Sequence, residues 1–153
     1  MHLLITGSRG IKQQPVWDCL DGFYAKYPIT ELTHGGARGV DIASACWANH
    51  SPVRQRVMLR VNHRPANWDY YGKRAGLIRN EEMLATCPAL DCAYLAIWDG
   101  MSTGTAHMVG LMRAAVRMAY PKQCFNNEPL VWHDWGDFKL AFHVPQHIYT
   151  EVA

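Results

Sequence analysis

The chain has 153 residues, 49% of them apolar and 18% charged, which is the composition of one globular domain and excludes a largely disordered chain. Fifteen Lys and Arg against thirteen Asp and Glu leave a formal net charge of +2, too little for a general grip on nucleic acid, so only a local basic site remains open. No apolar run approaches the roughly 18–20 residues that span a bilayer, and the five cysteines (Cys19, Cys46, Cys87, Cys92, Cys124) are odd in number and lack a C-x-x-C, which argues against a disulfide framework or a structural zinc site and for a reducing cytosol.

Leu3 to Thr6 is a short apolar run that stops at Gly7-Ser8-Arg9-Gly10, and reads as a buried first strand rather than a signal peptide. Pro15 to Tyr27 carries Val16, Cys19, Leu20, Phe23 and Tyr24 at helical spacing, with Pro15 suited to a first turn. Ile29 to Thr33 reads as a strand ending at His34-Gly35-Gly36-Ala37-Arg38-Gly39, and Val40 to Asn49 as a helix with small residues facing a sheet. Arg56 to Val61 alternates and predicts a third strand. Asn62 to Asp69 predicts a loop, and Tyr70 to Thr86 a further helix. Asp91 to Trp98 is almost wholly apolar, the pattern of a central strand covered on both faces. The loop 99–105 leads into a helix over His107 to Met118. Beyond Pro121, Leu130 to Trp132 and Phe138 to Val144 predict two strands joined through Trp135-Gly136-Asp137.

Strand, glycine loop and helix thus recur three times. The alternation predicts an α/β, Rossmann-like three-layer fold with a mostly parallel sheet and helices on both faces. Right-handed crossovers would bring the loops 7–10, 34–39 and 99–105 to one edge of that sheet. Residues 1–125 are expected to form the domain, with 126–153 an extension packed on it. That extension carries Trp132, His133, Trp135, Phe138, Phe142 and Tyr149, which suits completing a core or forming a subunit contact, so a homo-oligomer is among the expectations. His143 and His147 are four apart, but Pro145 between them disfavours a helix presenting both, and no metal or cofactor is expected.

Each loop has donors for an anion. Gly7-Ser8-Arg9-Gly10 offers backbone N–H groups, a hydroxyl and a guanidinium, but it has neither dinucleotide-fingerprint nor Walker A spacing. Gly35-Gly36-Ala37-Arg38-Gly39 packs three glycines into five residues. Glycine there suggests positive φ or close approach of backbone to a ligand, with Arg38 suited to a phosphate. Asp41 follows, either a ligand contact or a plain first-turn acid. Asp99-Gly100-Met101-Ser102-Thr103-Gly104-Thr105 supplies hydroxyls at a helix start, as a phosphate site or as an N-cap from Ser102 or Thr103. Trp68 lies among aromatic and basic residues, where it could stack a nucleobase or plug a hydrophobic gap. Arg79 and Asn80 read by themselves as a solvated helix face.

The blocks T-G-S-R, H-G-G-A-R-G-V-D, P-A-N-W-D-Y-Y-G-K-R-A-G-L-I-R-N-E-E-M-L and W-D-G-M-S-T-G-T-A-H-M occur in this order over residues 3 to about 120. Together they resemble the YspA-like, YpsA-related branch of the SLOG superfamily. The resemblance implies a Rossmann-like sheet with a nucleotide-type ligand at its carboxyl edge. It implies that Gly7, Ser8, Arg9, Gly35, Gly36, Asp41, Arg79, Asn80, Asp99, Ser102, Gly104 and Thr105 line the site, which moves Arg79 from helix face to ligand contact. Arg38, Gly39, Trp68 and Thr103 join them from the loop reading.

Relatives in that superfamily are similar to LOG-type enzymes that release a base from a nucleoside 5′-monophosphate through an arginine and a P-G-G-x-G-T-x-x-E-like loop. Arg79 matches the arginine, but no glutamate follows Thr105 within the turn. Cleavage through an oxocarbenium-like state calls for a carboxylate. Asp99 or Asp41 would have to supply it, with Arg79 and His107 as the other catalytic candidates. The leading expectation is therefore binding of a nucleotide or ADP-ribose-like ligand, to sense or sequester it. Phosphoribohydrolase activity is one alternative. A single-stranded DNA module, as the resemblance to DNA-uptake proteins implies, is another and is disfavoured by the charge. On this reading Arg79→Ala weakens binding and leaves stability nearly unchanged.

Overall fold

The computed structural model describes residues 1–50, 59–123 and 128–148. Its elements are β1 (His2–Gly7), α1 (Gln13–Lys26), β2 (Glu31–His34), α2 (Val40–His50), β3 (Arg60–His63), α3 (Trp68–Tyr71), α4 (Ala75–Ala85), β4 (Cys92–Trp98), α5 (Thr103–Ala119), β5 (Val131–Asp134) and β6 (Lys139–His143). They build one six-stranded sheet in the order β3-β2-β1-β4-β6-β5.

Side chains on the two central strands alternate between two cores. Leu3 and Ile5 of β1 and Ala93, Leu95 and Ile97 of β4 pack with Val16, Leu20, Val40 and Trp47, which come from α1 and α2. Leu4, Tyr94 and Ala96 face the other way, onto Met83 of α4 and Met108, Val109 and Met112 of α5. Burial on both faces is why these strands read as continuous apolar runs.

The pairs β1–β2, β1–β4 and β2–β3 are parallel, whereas β4–β6 and β5–β6 are antiparallel. The sheet is therefore mixed, which corrects the expectation of a mostly parallel one. The cause is local. β5 and β6 are joined by a turn in which Trp135 N–H donates to Phe138 O at 2.9 Å, and so tight a connection can only make an antiparallel hairpin. The hairpin then docks β6 on the open edge of β4.

Several boundaries also move. The third strand lies at Arg60–His63, and the part of its expected span at 56–58 falls outside the described residues. The expected helix from Tyr70 is split. Asn67 caps α3 by accepting from Tyr70 N–H. Gly72, at φ +56, closes α3 and starts a short 3-10 turn before α4. Last, α5 begins at Thr103 rather than His107, because Ser102 is its N-cap.

Cys19, Cys46, Cys87 and Cys92 are free thiols; Cys124 and Tyr149 lie outside the described residues. Among the described residues no helix is long and apolar enough to cross a membrane.

Candidate functional site

Strand order reverses between β1 and β4, and at such a point the loops leaving the two strands open a crevice at their carboxyl ends. Ser8 ties the crevice together from behind. Its N–H donates to Ile97 O at 3.0 Å, its carbonyl accepts from Val40 N–H at 3.4 Å, and its Oγ accepts from Asp99 N–H at 3.0 Å. Ser8 is fully buried and acts as a strut between β1, α2 and the loop after β4. The glycines nearby serve the same packing. A Cβ on Gly7 would overlap Ile97 O and Val40, and one on Gly39, at φ +77, would overlap the Ser8 and Arg9 carbonyls. A Cβ on Gly35 would overlap the Arg79 guanidinium, and one on Gly36 the His63 ring. The close approach read from the sequence is thus to the chain's own groups.

Arg79 and Asn80, adjacent on α4, connect the loop after β2 to the start of α5. Arg79 Nη1 donates to Gly35 O, and its Nε donates to Asn80 Oδ1 at 3.1 Å. Asn80 Nδ2 donates to Gly104 O at 3.2 Å. Burial holds the Arg79 guanidinium below its usual range, opposed by the neighbouring Asp41.

Asp41 is the most unusual group. It is buried in the first turn of α2, where its Oδ2 accepts from Gly35 N–H at 3.0 Å and Ala37 N–H at 3.2 Å. Its Oδ1 is buried with no hydrogen-bond partner among the described residues. Burial pushes its carboxyl up to about 6, against the pull of the Ala37 and Gly35 amides and the Arg79 and Arg9 guanidinium groups. Next to it, His34 stacks on His63 with ring centroids 5.0 Å apart, and its Nδ1 accepts from Gly36 N–H at 3.1 Å. Burial, then His63 and Arg79, push His34 down to about 4.

These groups enclose a small recess of about 50 Å³, lined by Thr6, Gly7, Arg9, Ala37, Asp41, Arg79, Asn80, Ser102, Gly104 and Thr105. It shares Arg9, Arg79, Asn80, Ser102 and Gly104 with an outer cleft of about 730 Å³, within the size range of small-ligand sites. Trp68, Lys73, Leu77, Asp99, Met101 and Thr103 complete the outer wall. Trp68 is 53% exposed and lies over Gly76, where an added Cβ would stand 3.4 Å from the indole. It forms an open face rather than a plug. Asp99 shapes the loop by accepting from Met101 N–H at 2.8 Å and Ser102 N–H at 2.9 Å, and those amides hold its carboxyl below the usual range. Ser102 Oγ accepts from Thr105 N–H at 3.4 Å and Thr105 Oγ1 at 3.0 Å. The first turn of α5 therefore faces the cleft as a positive dipole end.

The structure brings together Gly7, Arg9, Asp41, Trp68, Arg79, Asn80, Asp99, Ser102, Thr103, Gly104 and Thr105. Ser8, Gly35, Gly36 and Gly39 form the frame behind them. It does not bring Arg38 or His107 there. Arg38 is exposed and lines neither cavity. His107 Nδ1 lies 3.3 Å from Asn80 Nδ2, and its Nε2 lies 4.0 Å from Glu81, so it touches the lining residue Asn80 but lines neither cavity itself. Lys73 and Leu77 were missed as wall residues. Lys73 lies in the 3-10 turn and Leu77 in the first turn of α4, so the local signal is only their nearness in sequence to Trp68 and Arg79.

A family model described as the YspA, cpYpsA-related SLOG family matches residues 1–71. That stretch contains the loops at 7–10 and 34–39, Asp41 and Trp68; Arg79, Asn80 and the loop at 99–105 lie beyond it. The Gene 61 protein of Mycobacterium phage D29 is 35% identical over 130 residues, which span 84% of this chain and 98% of that protein. No solved structure matches.

Proposed function

Because the chain belongs to the YspA, cpYpsA-related SLOG family, whose membership points to a nucleotide-related role, we propose that it binds a nucleotide or ADP-ribose-like phosphorylated ligand and so senses or sequesters it. The observation that carries this reading is the convergence of Arg9, Arg79 and the first turn of α5 on one cleft. Two guanidinium groups and the amino-terminal end of a helix form an anion site that needs no net charge on the protein. The phosphates lie at the start of α5, and the base lies across the open indole of Trp68. Calorimetry with a panel of nucleotides, ADP-ribose and cyclic derivatives tests this. At least one is expected to bind below millimolar, and silence across the panel sinks the reading.

One observation favours a second reading, N-glycosidic cleavage of a bound nucleotide. Asp41 lines the recess beside Arg79 with a carboxylate oxygen that has no hydrogen-bond partner among the described residues, and there it can stabilise an oxocarbenium-like sugar or activate water. It takes the place of the missing loop glutamate, while Asp99 is engaged in holding its own loop. Incubation with nucleoside monophosphates and NAD, followed by chromatography for free base, decides it. Turnover that vanishes in Asp41→Asn with binding intact supports cleavage, and binding without any released base rejects it.

A further inference from the structure

The opposite, amino-terminal edge of the sheet holds a second cluster that the cleft does not use. In the register of the central strands His2 pairs with Cys92 on one side and Glu31 on the other. Cys87, at the end of the turn that follows α4, folds back against them. Cys92 Sγ lies 3.5 Å from His2 Nδ1 and Cys87 Sγ 3.6 Å from His2 Nε2. One ligand atom from each of the three residues falls within 4.8 Å of the others. Both cysteines are buried, while the His2 side chain is 18% exposed and gives a path to solvent.

We propose that His2, Cys87 and Cys92 form a binding site for a borderline-soft divalent metal ion of the Zn²⁺ type. A tetrahedral centre with metal–sulfur and metal–nitrogen bonds of about 2.3 and 2.0 Å sets its nitrogen and sulfur ligands roughly 3.6 Å apart. Cys92 Sγ already stands at that separation from His2 Nδ1, while Cys87 Sγ, nearest to Nε2 and within 4.8 Å of the other ligand atoms, has to turn towards Nδ1 to complete the set. One nitrogen and two sulfurs select Zn²⁺ or Co²⁺ over Mg²⁺ or Ca²⁺. His2 Nε2 lies 2.7 Å from Thr33 Oγ1, a partner for the ring N–H of a metal-bound histidine. This leaves Nδ1, the nitrogen facing Cys92 and Glu31, for the ion. Glu31 Oε2, 3.9 Å from Nδ1, or a water fills the fourth position. Binding releases the thiol protons to solvent. The ion would tie the start of β1 to the start of β4 and the turn before it, remote from the ligand cleft, so its role is to hold the scaffold.

The full chain, stripped with chelator under reductant, is titrated with Co²⁺ and then Zn²⁺. One ion per chain is expected, with thiolate-to-cobalt charge-transfer absorption, intense tetrahedral d–d bands, displacement by Zn²⁺ and a raised Tm. Cys92→Ser and His2→Gln are expected to lose the charge-transfer band or its tetrahedral signature, and Cys46→Ser to keep both. Near-ultraviolet circular dichroism confirms that each variant is folded, and wild type alone suffices should Cys92→Ser not fold. Folded, reduced wild type without the cobalt–thiolate band overturns the site. So does a Cys87–Cys92 disulfide that forms without reductant and, once reduced, still takes up no metal; the cluster is then a thiol pair only.

Discussion

Arg79 has a second duty that its place on an outwardly polar helix face conceals. It holds the carbonyl of Gly35 and the side chain of Asn80, so Arg79→Ala is expected to weaken ligand binding and also to lower the Tm. This replaces the expectation of unchanged stability. Arg9 is the cleaner probe, because among the described residues its guanidinium makes no hydrogen bond and it is exposed at the cleft. Arg9→Ala is expected to cost about 1.5–3 kcal/mol of binding, roughly tenfold to a hundredfold, at unchanged Tm. Calorimetry paired with thermal melts checks both. Asp41 and His34 give a pH signature. The folded Asp41 carboxyl, raised to about 6, destabilises the fold above that pH, and the penalty is relieved as pH falls from 6 towards 4. The folded His34, lowered to about 4, works the other way. Its contribution is complete above its ordinary value of 6.5 and is lost as pH falls towards 4. The two oppose each other in wild type. His34→Gln is therefore expected to gain stability on acidification across this window, and Asp41→Asn to lose it. Denaturant midpoints measured against pH read the slopes, and parallel slopes in the two variants would refute the assignment.

At the scale of elements, turn chemistry decides where the site forms. The helix after β4 starts at Thr103 because Ser102 caps it, and this start puts the first turn rather than the second at the cleft. Ser102→Ala is expected to lower stability by about 1 kcal/mol. Gly39 combines a positive φ with backbone packed against its α-carbon. Gly39→Ala is expected to destabilise by about 1–3 kcal/mol and to separate the loop after β1 from α2, as hydrogen exchange at the Val40 amide would report. The glycine loops were legible as loops, since glycine between an apolar run and a helical period has few other uses. What they approach was not. The partners, Arg79 for Gly35 and His63 for Gly36, come from elements more than twenty residues away, and no local pattern names them. Arg38 shows the same limit in reverse, because a basic residue in a glycine loop carries no mark of which way it points.

For the whole molecule, the C-terminal hairpin covers the edge of β4 and contributes Leu130, Leu140 and Ala141 to the two cores. A chain ending at residue 123 would leave that edge and those apolar surfaces open. It is expected to aggregate or to unfold at lower denaturant than the full chain, as sedimentation and equilibrium unfolding would show. A soluble truncated chain of unchanged stability would mean that the hairpin is dispensable.

Short-range physics was sufficient for much of this protein. Continuous apolar runs at Leu3–Thr6 and Asp91–Trp98 required strands buried on both faces, and their alternation with glycine loops and helical periods required crossovers that gather the loops on one edge. The tertiary structure alone decided the rest. It turned the last two strands into an antiparallel hairpin with β6 on β4, aimed Arg9 and Arg79 but not Arg38 or His107 into one cleft, and left one oxygen of Asp41 without a partner among the described residues. It also set His2 beside Cys87 and Cys92, residues whose spacing along the chain fits no metal motif. The physical reason is common to all of these. Periodicity and turn propensity act between residues a few positions apart, whereas the direction of a buried side chain and the company it keeps depend on which distant elements pack together.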